Sequence, residues 1–318
     1  MIATVRDEER HLEAAVRSVL ENGYEPGVEV ALAVGPSRDG TLTIARELAA
    51  DPRVTVVDNP SGLTPQGLNL AIAATGREVI VRIDGHTVLP LGYIARAIDV
   101  LNQTGAANVG GQMVPVGDAP TERAVAWAMS SRWGIGAARF HVGGEAGEAE
   151  TVFLGVFRRE ALDAVGAFDE RFSRAQDWEL NYRLRAAGYI VWFDPKLRVE
   201  YRPRSRFGSL ARQFHGSGRW RREVVRTHRG TASARYLAPP ALVASLLAAC
   251  VAGATGLAIG MPWLAALGFS VPMVYGAAVV VVAASAIPSV GWRTALRIPL
   301  VLGTMHLSWG LGFWRGMP

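Results

Sequence analysis

Glu78-Val79-Ile80-Val81-Arg82-Ile83-Asp84-Gly85-His86-Thr87 is an apolar, β-branched run that delivers an aspartate, a glycine and a histidine at its end. Valine and isoleucine at this density favour a buried strand. Alternate residues of an extended segment point to one face, so the spacing predicts that Asp84 and His86 converge on one cation. Gly85 between them would admit a backbone or a phosphate. The carboxyl edge of an open α/β sheet is where such folds place a ligand. On this stretch alone, an ordinary turn built from Asp and Gly serves equally well.

Outward from this strand the chain keeps one rhythm. Asp7–Leu20 has acidic residues in its first turn and apolar ones at Leu12, Val16, Val19 and Leu20, the pattern of a helix with one buried face. Val28–Val34 reads as a compact strand, and Thr41–Ala50 as a helix with Thr41 as its cap. Val54–Val57 is a third strand, ended by Asp58-Asn59-Pro60, and Thr64–Ala74 a helix closed by Gly76. Such alternation over residues 1–115 predicts a parallel, doubly wound α/β sheet. Met1–Val5 reads as the tail of a strand, so the first strand is expected to be truncated at its N-terminal end, and no signal-peptide pattern is visible.

Past residue 108 the rhythm loosens. Val142–Gly147 is expected as a loop, Thr151–Phe157 as a strand and Arg159–Val165 as a helix. Asp177–Ala187 reads as a helix closed by Gly188, and Val191-Trp192-Phe193 as a short strand stopped by Asp194-Pro195.

From Leu237 the preferred solvent changes. Leu237–Gly260 and Trp263–Ile287 carry no charge, and each exceeds the roughly 20 residues that span a hydrocarbon core. Ile298–Trp314 is shorter and holds His306, which fits a marginal or re-entrant span. Trp263, Trp292, Trp309 and Trp314 stand near the ends of these runs, as interfacial aromatics do. A buried helical hairpin of a soluble domain is the competing explanation, and two uncharged runs of this length weigh against it. These segments, at 237–260, 263–287 and 298–314, divide the chain into residues 1–230 and a membrane region 231–318.

Charge supports the same division. The 318-residue chain has a net charge of +5, and the basic residues between Lys196 and Arg235 are opposed only by Glu200 and Glu223. A basic cluster directly ahead of an apolar run fits the cytoplasmic flank of a membrane segment rather than a nucleic-acid site. Arg293 and Arg297 return to the same side. The expectation is an inner (cytoplasmic) membrane with the N-terminal part facing the cytoplasm, and no nucleic-acid partner. The solitary Cys250 excludes a disulfide framework and a thiolate metal site.

Polar residues gather at the strand ends. Thr4, Arg6, Asp7 and Glu8 follow the first strand, Arg38 and Asp39 the second, and Asp84 and His86 the fourth; a later helix opens Gln176-Asp177-Trp178-Glu179. Strand carboxyl ends meet at one sheet edge, so these groups can share a crevice. Singly, each has a plain explanation as a helix N-terminus, a turn or a cap.

At these residues the chain resembles a family 2 glycosyltransferase of the GT-A fold, similar to membrane-attached enzymes of bacterial exopolysaccharide (succinoglycan-type) synthesis. Thr4-Val5-Arg6-Asp7-Glu8-Glu9 resembles the family's P-x-[RY]-N-E opening, and Ser37-Arg38-Asp39-Gly40-Thr41 its [SD]-x-D-G-[ST] loop. Gly67-Leu68-Asn69 resembles its A-x-N element, and Asp84-Gly85-His86 its D-x-D or D-x-H metal motif. Val165–Glu170 followed by Gln176–Leu180 resembles G-G-F-D-E … [EQ]-D-x-E-L. The resemblance covers about residues 1–230.

It implies a Rossmann-like, mostly parallel GT-A domain followed by transmembrane helices. Thr4, Arg6, Glu8, Asp39, Asn69 and Asp84 would bind a nucleotide sugar, UDP-linked, and Asp84 and His86 a Mg²⁺ or Mn²⁺ ion, the imidazole tilting toward Mn²⁺. Asp177 would be the general base that takes a proton from the acceptor hydroxyl, with inversion at the anomeric carbon. A glycosidase would need two facing carboxylic groups, and Glu179, two residues along a helix from Asp177, does not face it. The implied acceptor is a polyprenyl-linked glycan at the bilayer surface. Transfer to polyprenyl phosphate itself, or a catalytically degenerate membrane interaction protein, are the alternatives; a nucleotidyltransferase would release pyrophosphate instead.

Some positions depart from the pattern. His86 replaces the more usual second aspartate, and Gln176 a common glutamate. Gln213 lies too far from Arg219-Trp220 for the Q-x-x-R-W of processive members, so a processive synthase is not expected. Gln176, Arg219 and Trp220 lean to the acceptor side, although Arg219 and Trp220 read more simply as part of a basic membrane-surface helix.

Overall fold

The computed structural model describes residues 1–25 and 27–317 and divides them into two compact units, one of residues 1–114 and 138–201, the other of residues 115–137 and 202–318. The division therefore falls elsewhere than at residue 230, because 115–137 and the helix Phe207–Thr227 pack with the C-terminal helices.

The first unit is built on eight strands: β1 (Ile2–Val5), β2 (Val30–Val34), β3 (Val54–Asp58), β4 (Val79–Val81), β5 (Asn108–Pro115), β6 (Gly147–Glu148), β7 (Phe153–Arg158) and β8 (Val191–Tyr201). Strands β1, β2 and β3 are parallel neighbours, and β4, β7, β5, β8 and β6 follow one another in a second sheet. A parallel bridge between Ile2 and Arg82, with Ile83 N–H donating to the Ile2 carbonyl at 3.1 Å, joins the two at β1 and β4. The parallel reading thus holds for the first half. In the second half β7 lies antiparallel to both β4 and β5, so the sheet as a whole is mixed.

Both faces are covered. Val30, Leu32 and Val34 of β2 face Leu12, Val16, Ala45, Ile94 and Ala97 in one core. Ala31 and Ala33 of the same strand face Leu68, Ala71, Leu162, Leu180 and Leu184 in the other. The buried strands are apolar on both sides for this reason, and show no polar alternation.

Two boundaries differ from expectation. The first helix begins at Leu12 rather than Asp7, because Asp7 adopts a left-handed φ of 56° and residues 7–9 are bonded to the loop after β2. Strand β8 runs through Asp194-Pro195 to Tyr201. A proline interrupts a strand only where its missing N–H is needed. β8 lies between β5 and β6, and on the β6 side the ladder covers only Trp192 and Phe193, so there Pro195 already lies past its partner.

The second unit is helical. Ala234–Ala258 and Pro262–Val290 are long and apolar enough to cross a membrane, whereas Ile298–Arg315 does not reach that standard. The packing of the first two is inside-out. A Cβ at Gly268 would lie 2.2 Å from the Gly253 nitrogen, and one at Gly256 would lie 2.4 Å from the Ala265 nitrogen, so glycines bring the backbones into contact. Leu247, Val251, Leu267, Met273, Val274 and Val281 point outward, and the apolar stretch of Pro262–Val290 is only 11 % buried. A core helix of a water-soluble domain buries its large side chains; small residues inside and large ones outside is the arrangement of helices packed in lipid. The helix Ile298–Arg315 makes the same close approach to Phe207–Thr227, where a Cβ at Gly312 would lie 2.0 Å from the His215 carbonyl oxygen.

Candidate active site

The loops after β1 and β2 are laced together. Arg38 N–H donates to Asp7 Oδ1 at 2.8 Å and Gly40 N–H to Glu9 Oε2 at 2.8 Å, while Glu8 N–H donates to Thr41 Oγ1 at 2.8 Å. Asp39 accepts from Thr41 N–H at 3.0 Å and from Glu9 N–H at 3.1 Å, and the Thr41 hydroxyl bond holds its carboxyl below the ordinary range. Asp39 thus fixes the loop that presents it. Thr4 closes the same corner: its Oγ1 accepts from Asn59 Nδ2 at 3.3 Å, and a Cβ at Gly67 would lie 2.4 Å from that oxygen. Arg6 is half exposed and pairs weakly with Asp7 at 3.8 Å.

Strand β4 ends at Val81, and Asp84-Gly85-His86-Thr87 is a turn closed by Thr87 N–H on the Asp84 carbonyl at 2.9 Å. Alternate residues share a face only on extended backbone, so the spacing alone does not bring Asp84 and His86 together in this turn. The two side chains take different partners, Asp84 meeting Arg82 Nη2 at 2.8 Å and His86 Nδ1 meeting Glu8 Oε1 at 2.8 Å. Gly85 is required, because a Cβ there would lie 2.9 Å from Val5 Cγ1 and 3.0 Å from Glu8 Cγ.

Arg82 is the residue that sequence reasoning passed over. Its side chain is 7 % exposed, and its guanidinium spans two carboxylates, Nη2 on Asp84 and Nη1 on Asp177. Burial disfavours the cation, but Asp177 and Asp84 outweigh that cost and hold its pKa above the usual arginine value. A charged residue inside a β-branched run was the available signal, since a buried arginine needs a paired anion.

Asp177 stands at the start of the helix Gln176–Ala186. Its inner oxygen, Oδ1, is buried against Arg82, while the side chain as a whole is 34 % exposed, so its accessible part, on the side of the outer oxygen or of the stem, lies away from Arg82. Burial raises its carboxyl above the ordinary range; Arg82 opposes the rise and the charge of Asp84 adds to it. The helix is held from several directions. Asn181 donates to Thr151 Oγ1 at 2.9 Å and accepts from Asn108 Nδ2 at 2.6 Å. Glu179 is buried and ion-paired with Arg183 at 2.7 Å, which also donates to the Ala167 carbonyl at 2.6 Å. Glu179 is thereby engaged in fixing the helix, and Gln176 is buried beside it. Ala175, just ahead, takes a left-handed φ of 61°, a strained entry at the point where Asp177 is aimed.

Asn69 staples the Phe168–Glu170 loop. Its Nδ2 donates to the Phe168 carbonyl at 2.8 Å, and its Oδ1 accepts from Phe168 N–H at 3.0 Å. Arg219 and Trp220 lie in the second unit on Phe207–Thr227, where Arg219 Nε donates to the Gly316 carbonyl at 2.8 Å and so caps the end of Ile298–Arg315.

Among the described residues no group of three or more His, Cys, Asp and Glu side chains is placed to hold a metal ion. For an ion the site offers Asp84, a third exposed with Oδ1 on Arg82. That fits an ion of the Mg²⁺ or Mn²⁺ kind bound by one or two carboxylates and completed by phosphates and water, and does not fit an all-protein cage.

Comparison with known proteins agrees with this architecture. A family model described as glycosyltransferase like family 2 matches residues 1–222. The succinoglycan biosynthesis protein ExoA of Rhizobium meliloti (strain 1021) is 33 % identical over 315 residues, 97 % of this chain and 92 % of that protein. Among solved structures, the mannosyltransferase PcManGT from Pyrobaculum calidifontis in complex with GDP-Man and Mn²⁺ is similar with a TM-score of 0.59 at 17 % identity, over 96 % of this chain and 84 % of that one. S. aureus TarS 1–349 in complex with UDP-GlcNAc has a TM-score of 0.52 at 10 % identity, over 95 % and 89 %. With that family match over most of the chain and that identity over nearly all of it, this chain belongs to the family 2 glycosyltransferases.

Proposed function

We propose that the protein is an inverting glycosyltransferase of exopolysaccharide synthesis that moves one sugar from a nucleoside-diphosphate sugar, UDP-linked, to a polyprenyl-linked glycan at the inner face of the cytoplasmic membrane. The observation that carries this reading is Arg82, which holds Asp84 and Asp177 on one buried guanidinium. The carboxylate suited to the donor diphosphate and the one suited to the acceptor are thereby set side by side. The relative from Rhizobium meliloti supports the pathway, and the nucleotide sugars and Mn²⁺ bound by the solved neighbours support the donor class.

In this reading the outer oxygen of Asp177 takes the proton of the acceptor hydroxyl as that oxygen attacks the anomeric carbon. The bond from that carbon to the diphosphate oxygen breaks, and the nucleoside diphosphate leaves. A divalent cation, when bound, would neutralise the leaving diphosphate. Asp84 would hold it, with His86 kept nearby by Glu8. Thr4, Arg6, Asp39 and the lacing around them would shape the nucleoside pocket, and Asn69 would position its far wall. A raised pKa suits Asp177 to accept a proton, since a base is more effective as its pKa nears the working pH.

The test is to incubate membranes carrying the protein with a panel of radiolabelled nucleotide sugars and to extract the lipid fraction. Label from one sugar is expected in a lipid-linked glycan with the wild type, entering about a hundredfold or more slowly with Asp177→Asn and lost with Asp84→Ala. Unchanged glycan production by Asp84→Ala would remove the enzyme reading, and retained transfer by Asp177→Asn would turn it to polyprenyl phosphate as acceptor.

A further inference from the structure

The second unit contains a cavity of about 410 Å³ that the sugar-transfer site does not use. Its floor is apolar and aromatic, with Phe214, Leu242, Met305, Trp133 and Trp309 among its lining, and its polar groups are Arg132, Arg235, Tyr236, Tyr275 and His306. Among the described residues no carboxylate lines it. The unit as a whole is poor in them, its acidic residues being Asp118, Glu122 and Glu223.

The cations are placed by the fold. Arg235 lies 4.5 Å from the centre of the Tyr236 ring, and the nearly buried Arg221 lies 3.7 Å from the same centre. Two guanidiniums on one ring repel each other, and an anion between or beside them lowers that energy. Gly136 leaves the space that the Arg235 stem fills, since a Cβ there would lie 2.7 Å from Arg235 Cδ. His306 ties the rim together, its Nε2 on the Trp133 carbonyl at 2.7 Å and its Nδ1 on Tyr275 Oη at 3.0 Å.

Arg235 and Tyr236 open the helix Ala234–Ala258, the first of the two that can cross a membrane, while Tyr275 lies midway along the second, so the cavity runs from the interface end of the one toward the middle of the other. A site of this size takes a small head and the first carbons of one chain; pockets for single small ligands run from about 300 to 1,000 Å³.

We infer that this cavity binds the phosphate or diphosphate head and the first isoprene units of a polyprenyl-phosphate lipid, the carrier of the acceptor glycan. The inference rests on the proposed lipid-linked acceptor, and its test is separable from donor chemistry. The arginines take the phosphoryl oxygens through charge-assisted hydrogen bonds, and the aromatic floor takes the chain. A free anion would use only the first of these and a diacyl lipid would bring a second chain.

The test uses the full chain in detergent micelles and follows tryptophan fluorescence during titration with farnesyl diphosphate. Saturable binding is expected, weakened about tenfold or more in Arg132→Gln/Arg235→Gln and in the cavity-filling Leu242→Trp. Nucleoside-diphosphate binding, measured calorimetrically on the same samples, should be unchanged and reports folded protein. Equal competition by inorganic diphosphate would overturn the proposal in favour of an anion site. Equal competition by phosphatidylglycerol would overturn it in favour of a general lipid contact, and unweakened binding by both variants would place the ligand elsewhere. Loss of nucleoside-diphosphate binding in the wild type would instead count against the transferase reading.

Discussion

At the scale of single residues the site turns on one cation shared by two acids. Asp177→Asn should lower kcat by about 10²–10⁴ with donor affinity retained, because it removes a proton acceptor and keeps the shape. Its raised pKa fixes the sign of the pH dependence: the basic form is lost as pH falls through that value, so activity should fail at a higher pH than an ordinary carboxylate near 3.9 would allow. Arg82→Gln should move this acid limb to still higher pH, since Arg82 is what holds the Asp177 pKa down. A limb moving toward lower pH would contradict the pairing. The same change should destabilise the fold by less than the about 3–5 kcal/mol typical of a broken buried pair, because both carboxylates are a third exposed. Asp177 and Asp84 were legible as members of an ordered set of motifs. Arg82 stands in the same stretch and is legible there only as part of a strand, because alternation says which face a residue takes and nothing about what waits there.

At the scale of elements, the parallel strands and their helices followed from hydrophobic runs of the right length. What failed were ends decided by tertiary bonds. Residues 7–9 have every local feature of a helix N-terminus and are instead laced to the loop at 37–41, and the turn at Asp84–Thr87 replaced an expected extension of β4. Pairing partners of strands are long-range facts, which is why β8 continued past Asp194-Pro195. The corner of Thr4, Asn59 and Gly67 is an element-scale joint with no room to spare. Gly67→Ala should lower stability by about 1–3 kcal/mol in thermal denaturation, since its Cβ would lie within 2.4 Å of Thr4 Oγ1 and 2.6 Å of Asn59 Nδ2. An unchanged melting temperature would mean that the strand and helix part more easily than this contact implies.

At the scale of the whole molecule, composition alone separated an α/β part from an apolar helical part, while the inclusion of residues 115–137 in the second unit was invisible, because their partners lie far along the chain. Val274 is 68 % exposed on the helix Pro262–Val290, and what it faces can be measured. Val274→Lys should cost about 2.5–3.5 kcal/mol in membrane insertion, read by a glycosylation-tag insertion assay. A lysine without effect there would mean that water, not lipid, covers this face. The glycine-to-backbone contacts of Ala234–Ala258 with Pro262–Val290 carry a last consequence. Parting these helices inside a bilayer hydrates almost no hydrocarbon, so their melting should contribute little heat capacity. The α/β unit exposes its apolar core to water on unfolding and should contribute roughly 12–15 cal/mol/K per residue. A calorimetric scan of the intact protein should therefore show one strongly temperature-dependent enthalpy and one nearly flat, and cold should weaken the first unit while leaving the helical one untouched.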